Sequence, residues 1–284
     1  MRLEVYSRLV FEFPQPTETI AAIQVAHAAG QIIESEGLWL PLGMRLGESI
    51  DPVSGARLLR GCLSGTVTME YRATVRVSPR LALPPNLTVA PWSQLPVAVL
   101  PYLLPSRYCP VDQFLRFSHR KFGHVSPGGA RVLAILDWLH ANVDYVPGIS
   151  TGSTSAADTF IDRAGVCRDF THLGMTLCRA AGVPARAVSA YALDLDPPDF
   201  HAVFEVFLDG GWWLVDPTRL APIEGLVRIA HGRDAADIAF LTTAGSVIQT
   251  AMQVSVRDAD MAIGSLPLAK APCNPNTVET GAVS

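Results

Sequence analysis

An α+β fold is predicted for this chain, with an antiparallel β domain first and a mixed helix-and-sheet core after it. Three observations carry the prediction. Residues 65–77 alternate polar and apolar, residues 126–182 carry apolar side chains at helical spacing, and residues 185–216 read as strands joined by an Asp-Gly turn. With 284 residues, 49% of them hydrophobic and 17% charged, the chain can bury a sizeable core.

Residues 1–83 form the expected β domain. Val67, Met69, Tyr71, Ala73, Val75 and Val77 share one face of a period-2 pattern, and a long strand with one polar face suits an antiparallel sheet. Seven prolines from Pro84 to Pro110 remove ladder donors, so residues 84–110 read as an extended crossing that packs through the apolar run 97–100. Beyond it, Asp112 is placed to cap a helix reaching Phe122. Ser126 is placed to cap a second helix, with Pro127 at its first position and Val132, Ile135, Leu136 and Leu139 along one side. A third helix opens at Cys167, carries Phe170, Leu173 and Leu177 on one face, and stops at Gly182 ahead of Pro184. Residues 185–192 and 201–208 follow as strands, Asp209-Gly210 as a hairpin turn, and 211–216 as the returning strand. Residues 265–284 are small, polar and interrupted by proline, which predicts a tail without fixed structure.

The net charge of −4 leaves no broad basic face for nucleic acid. Charges run through the first ten residues, which excludes the apolar core of a signal peptide there. No apolar stretch reaches the roughly 18–20 residues that span a bilayer. Five cysteines, widely spaced and without a C-x-x-C, suit reduced thiols. The expectation is a cytoplasmic protein with neither nucleic-acid nor membrane partners.

The chemistry concentrates in three segments. Cys167 stands at a helix start, where the dipole and unpaired N–H groups favour a thiolate and can hold a developing oxyanion. A thiol nucleophile needs a base, and the base needs an orienting group. With a two-residue turn at Asp209-Gly210, Leu208 faces Gly211 and Val203 faces Asp216. His201, on the same face as Val203, is then the diagonal neighbour of Asp216. Cys167, His201 and Asp216 are the candidate catalytic residues. Tyr145 is a secondary candidate for an oxyanion donor. Cys178 lies about 16 Å along the helix from Cys167 and is assigned to the core. His172 falls about 140° around the helix from Cys167 and is assigned a structural role. His119, His124 and His140 have no thiol or carboxylate at metal-ligand spacing, so no zinc site is expected. Arg233 and Asp234 are expected to form a buried ion pair holding the last strand to the core.

The segments Gly165-Val166-Cys167-Arg168-Asp169-Phe170, His201-Ala202-Val203-Phe204-Glu205-Val206-Phe207 and Trp212-Trp213-Leu214-Val215-Asp216-Pro217-Thr218 resemble the Cys, His and Asp segments of the transglutaminase-like superfamily. The first 80 or so residues are similar to the N-terminal β domain of its bacterial members, and residues 226–237 to the segment that follows their core. The resemblance implies an α+β protein: an N-terminal antiparallel β domain over 1–83, a crossing over 84–110, a papain-like transglutaminase-like core over 111–225, and C-terminal strands packing on that core over 226–264. It also implies acyl transfer from an amide of a peptide or protein through a thioester, with Cys167 as nucleophile, His201 as its base and Asp216 orienting the imidazole, and with no metal or organic cofactor. Hydrolysis is the preferred outcome, because uncontrolled crosslinking would harm a cytoplasm. A transglutaminase proper and an inactive fold used as a binding module are the alternatives. One position departs from the family pattern: Val203 stands where His-Ala-Trp is usual, which is expected to reshape the substrate groove.

Overall fold

Two antiparallel sheets dominate the computed structural model, which describes residues 1–260. The tail expected over 265–284 lies outside the described residues. In the first sheet, β1 (Arg2–Ala21) and β4 (Arg57–Val77) pair along nearly their whole length, from Arg2 opposite Arg76 to Ala21 opposite Leu59. Strands β2 (Gln31–Trp39) and β3 (Gly47–Ile50) lie on the far side of β4. The alternating residues of β4 turn inward as their period requires: Val67, Met69, Tyr71 and Val75 are buried against Leu3, Val5, Leu9 and Phe11 of β1. The strand begins before the alternating stretch, at Arg57. Its register against β1 shifts between Phe13 and Thr17, opposite a Gly65 at φ +67°, and this break hides the first half of the strand from a period-2 reading.

The segment 84–110 differs from the extended crossing expected. It forms 3₁₀ turns at Trp92–Gln94 and Val97–Leu103, and it buries Leu95, Val99 and Leu103 against Phe207. Proline's fixed φ suits such turns as well as it suits an extended chain.

The helical layer comprises α1 (Val111–Phe122), α2 (Gly129–Asn142), α3 (Ala156–Asp162) and α4 (Cys167–Ala180), with a two-residue parallel pairing between β5 (Asp144–Tyr145) and β6 (Ala164–Gly165). The caps differ from expectation. Asp112 lies inside the first turn of α1, and α2 starts at Gly129 without a side-chain cap. Close backbone contact takes the place of the Ser126 cap. The N–H groups of Gly129 and Ala130 donate to the Leu87 and Pro85 carbonyls, and a Cβ at Gly128 or Gly129 would stand 2.1 Å from a carbonyl oxygen.

The second sheet runs β10 (Leu226–Gly232), β7 (Ala185–Ala192), β8 (Phe200–Leu208), β9 (Gly211–Val215) in spatial order. Helix α4 lies on its Phe204 side. Gly174 makes that approach possible, since a Cβ there would meet the Phe204 ring at 2.8 Å. Leu173, Leu177, Cys178, Phe204 and Val206 form the shared core with Leu139 of α2.

The C-terminal strands correct the expected domain plan. Only β10 joins the core sheet; α5 (Ala235–Ile238) follows it, and β11 (Leu241–Thr243) and β12 (Ile248–Asp258) both return to the outer edge of β1. A β1 strand of 20 residues would otherwise present a long row of unpaired N–H and C=O groups, and β12 covers it. The two sheets share one apolar cluster, in which Tyr191, Val227 and Ile229 pack with the first sheet. The Tyr191 hydroxyl donates to the Ile23 carbonyl at 2.6 Å and meets the Ser7 hydroxyl at 2.9 Å. Among the described residues, no helix is long and apolar enough to cross a membrane.

Phe204→Ala removes the ring against which α4 closes. The expected loss is about 3–5 kcal/mol of unfolding free energy, read from urea denaturation, and a loss under about 1 kcal/mol would refute this role.

Candidate active site

The start of α4 is held by its own sequence. Val166 is extended, at φ −112° and ψ −178°, and its N–H donates to the Asp169 carboxylate at 2.9 Å. Asp169 is fully buried and also receives Arg168 at 3.3 Å. Gly165 leaves room for this folded-back carboxylate, since a Cβ at 165 would stand 2.7 Å from that of Asp169. Arg168 reaches on to the Thr151 carbonyl and ties down the preceding loop. The result is a helix whose first residue is a partly exposed cysteine with a free thiol.

The β8–β9 hairpin supplies the other two groups. Asp209 at φ +46° and Gly210 at φ +76° form a two-residue turn of the mirror-image type that tight hairpins favour, and Leu208 pairs with Gly211. The same register puts Phe204 opposite Val215, so Val203 faces Asp216. His201, 1% exposed, then joins Asp216 through Nε2 to Oδ2 at 2.9 Å. The carboxylate is fixed from its other side: the Thr218 hydroxyl and N–H donate to Oδ1 at 2.7 and 2.9 Å, and the Ala221 N–H donates to Oδ2 at 3.1 Å. A further bond links the two halves, from the Thr171 hydroxyl on α4 to the Ala202 carbonyl beside His201, at 3.0 Å.

Burial alone would strip His201 of its proton. The hydrogen bond that Nε2 donates to Asp216, contact with the Cys167 thiol and the charges of both partners outweigh it and raise the imidazole to about 9. Burial likewise opposes ionisation of Asp216, but His201 and Thr218 hold its carboxyl below the usual range. With Nε2 committed to an acceptor, Nδ1 is the free nitrogen. It is buried and makes no hydrogen bond of acceptable geometry within the protein, while Cys167 lies close enough to act on the ring. Tyr145, 40% exposed, lies beside Cys167, where the β5–β6 pairing sets it opposite Gly165. Burial first, then the Cys167 charge, pushes its hydroxyl up to about 12, so it stays a donor at neutral pH.

The structure thus brings Cys167, His201 and Asp216 together with Tyr145. Thr171, Thr218 and the Asp169 cap join them, and the sequence reading did not single these out. The spacing of Cys167 and Thr171, four apart on one helix face, was the available signal for one of them.

Three other expectations meet a different outcome. Val203 is wholly buried with Val188, Leu214 and Ala221, so the departure from His-Ala-Trp falls in the core and not in a groove. Arg233 is exposed and pairs with Asp237. Asp234 instead accepts the Tyr108 and Ala236 N–H groups, and the buried guanidinium is that of Arg179, which bonds the Ala185 and Arg233 carbonyls. A surface cation four residues from a carboxylate keeps its hydration, whereas Asp234 satisfies backbone donors that have no other partner. His172 stacks on Tyr108 at 4.9 Å and accepts the Ala235 N–H, and burial lowers it to about 3, which suits a neutral structural ring. Among the described residues, no group of three or more His, Cys, Asp or Glu is arranged to hold a metal ion.

Comparison with known proteins follows the same outline. Residues 117–217 match the model of the transglutaminase-like superfamily, a span that contains all three candidate residues. A solved structure from Cytophaga hutchinsonii, described as a candidate cysteine protease, superposes with a TM-score of 0.86 at 37% identity, covering 92% of this chain and 91% of that one. The chain belongs to the transglutaminase-like superfamily. Its fold is that of the superfamily, a papain-like core behind an N-terminal antiparallel sheet. An uncharacterised protein of Mycobacterium leprae is 30% identical over 175 residues, 56% of this chain and 61% of that protein. One of Mycobacterium tuberculosis is 28% identical over 115 residues, 35% of this chain and 37% of that protein.

Asp216→Asn removes the partner that keeps His201 protonated, leaving burial dominant. The His201 midpoint, followed by NMR of the ring Cε1–H, should fall from about 9 by roughly 2 units or more. An unchanged midpoint would show that Asp216 does not govern the imidazole.

Proposed function

We propose that this protein is a thiol-dependent acyl-transfer enzyme that cleaves amide bonds of a peptide or protein through Cys167, His201 and Asp216. The observation that carries the reading is the division of labour between the His201 nitrogens: Nε2 is locked to a carboxylate, and Nδ1 is left unpaired beside a thiol at a helix start.

In the proposed cycle the resting pair is a Cys167 thiolate beside a His201 imidazolium, with the thiol's proton carried on the ring. The imidazolium is held by Asp216, and the thiolate is favoured by the positive end of α4. The sulfur attacks the amide carbonyl, a C–S bond forms, and the carbonyl π electrons move to oxygen. Two donors are at hand for that oxyanion: the Cys167 N–H, which has no intrahelical acceptor, and the Tyr145 hydroxyl. As the C–N bond breaks, the imidazolium gives its proton to the leaving amine, and a thioester remains. Water, deprotonated by the neutral His201, then attacks the thioester and releases a carboxylic acid and the thiol. An amine in place of water would yield a new amide. Hydrolysis is the favoured outcome, because Cys167 is partly exposed and Tyr145 exposed, so bulk water reaches the thioester.

The test begins with the thiol. An ordinary cysteine, with a pKa near 8.5, is only about 1% ionised at pH 6.5. Alkylation of Cys167 at that pH should far exceed that of a free thiol and should drop roughly 100-fold in His201→Ala. Equal rates in the two proteins would refute the pairing. Cys167→Ala should retain the melting temperature and lose amide hydrolysis on a peptide library by about 1,000-fold or more. Retained hydrolysis would place the nucleophile elsewhere.

A further inference from the structure

A cleft of about 990 Å³ opens between the first sheet and the core, walled by residues 26–30, 50–55 and 78–81 on one side and by β7–β10 on the other. None of Cys167, His201 and Asp216 lines it. Its buried carboxylate, Glu205, lies four residues along β8 from His201, about 13 Å by the strand rise.

Three guanidiniums, Arg80, Arg186 and Arg228, and three carboxylates, Asp51, Glu205 and Asp209, line this cleft, but only Glu205 is bonded to the arginines. Glu205 is fully buried, and both of its oxygens are occupied: Arg186 donates to Oε2 at 2.7 Å, and Arg228 donates to Oε1. A third guanidinium, Arg80, arrives from the end of the first sheet. Its Nη1 donates to the Ile223 and Leu226 carbonyls at 2.8 and 2.6 Å, while its Nη2 is buried without a partner. Arg228 Nε and His231 Nδ1 are unpartnered as well. The other two carboxylates in the wall are engaged elsewhere, Asp51 with the Val53 and Ser54 N–H groups and Asp209 with Thr88. Arg186 and Arg228 thus share one carboxylate, while Arg80 beside them is bonded only to carbonyls. Burial first, then the Arg228 charge, lowers Arg80 to about 10, against the opposing pull of Glu205 and Glu224. Guanidinium donors gathered in a half-buried cleft and left without an acceptor favour an anion there.

We propose that this cleft binds a small oxyanion, a molecule bearing phosphate or carboxylate groups, held by Arg80, Arg186 and Arg228. The guanidinium fork matches either group in geometry. Stacking on Trp212 at 4.0 Å already fixes Arg186 in place. Because Arg80 comes from the first sheet and the other two arginines from the core, the bound anion ties the two together. This site is separate from the thiol and does not depend on its chemistry.

The test is a titration of the full chain with inorganic phosphate and, separately, with citrate. Ionic strength is matched with sodium chloride, and both melting temperature and tryptophan fluorescence are followed, since Trp212 and Trp213 line the cleft. A saturable rise with at least one of them is expected, and the arm that saturates distinguishes phosphate from carboxylate chemistry. Arg228→Met should weaken that response about tenfold, the worth of one charge-assisted hydrogen bond. Glu205→Gln removes the competing carboxylate and should tighten it about tenfold, an effect that a merely structural cluster would not produce. The proposal is overturned if neither anion gives a saturable response beyond chloride, or if the response is the same in both variants. Loss of the response in Cys167→Ala would place the anion at the thiol and overturn it too. Should Arg228→Met fail to fold, Glu205→Gln decides alone: tighter binding supports the site, and unchanged or weaker binding refutes it.

Discussion

A buried hydrogen bond between an imidazole and a carboxylate is the constraint around which the core is arranged. Two ionisable groups withdrawn from water are tolerable only when they are paired and hydrogen-bonded. Asp216 meets that condition with Thr218 and the Ala221 N–H, so its orientation is set before any substrate arrives. The bond exists only in one strand register. A slip of one residue in the β8–β9 hairpin would carry Asp216 to the opposite face of the sheet. The turn at Asp209 and Gly210, both in the left-handed region, is therefore as much a part of the site as the side chains are.

The cysteine is delivered by a separate element, and three contacts set its place. Gly174 lets α4 settle onto Phe204, Thr171 fastens the first turns to the Ala202 carbonyl, and Asp169 closes the helix start behind Cys167. The first acts through packing, the second through a directional bond, and the third through local capping. Together they bring the thiol to the unpaired nitrogen of His201 without a cross-link between the two elements. Tyr145 arrives by a fourth route, the short parallel pairing with Gly165.

The first sheet does more than shield the core from one side. Tyr191, Val227 and Ile229 belong to the cluster of the first sheet, and Arg80 reaches from that sheet to two core carbonyls. β12 then returns the chain to the strand with which it began. Separating the sheets would expose this apolar cluster and leave Arg80 without its two carbonyl partners.

Local information was sufficient for a good part of this. The Asp-Gly turn between two apolar strands set the hairpin register and with it the pairing of His201 with Asp216, because both depend only on residues near in sequence. The period-2 pattern of residues 67–77 set the buried face of β4, and the Gly-Val-Cys segment before an amphipathic run set the helix start at Cys167. What the sequence could not determine was decided by contacts between distant segments. The glycines that replaced the expected cap at Ser126 answer to the Leu87 and Pro84 carbonyls. The C-terminal strands expected on the core include β12, which instead covers β1, whose edge needs hydrogen-bond partners. Val203 was read as part of a groove and is core, and Arg233 was read as buried and is not, because burial depends on what the rest of the chain lays over a position. Register and periodicity are local properties; the covering of edges, faces and charges belongs to the folded chain as a whole.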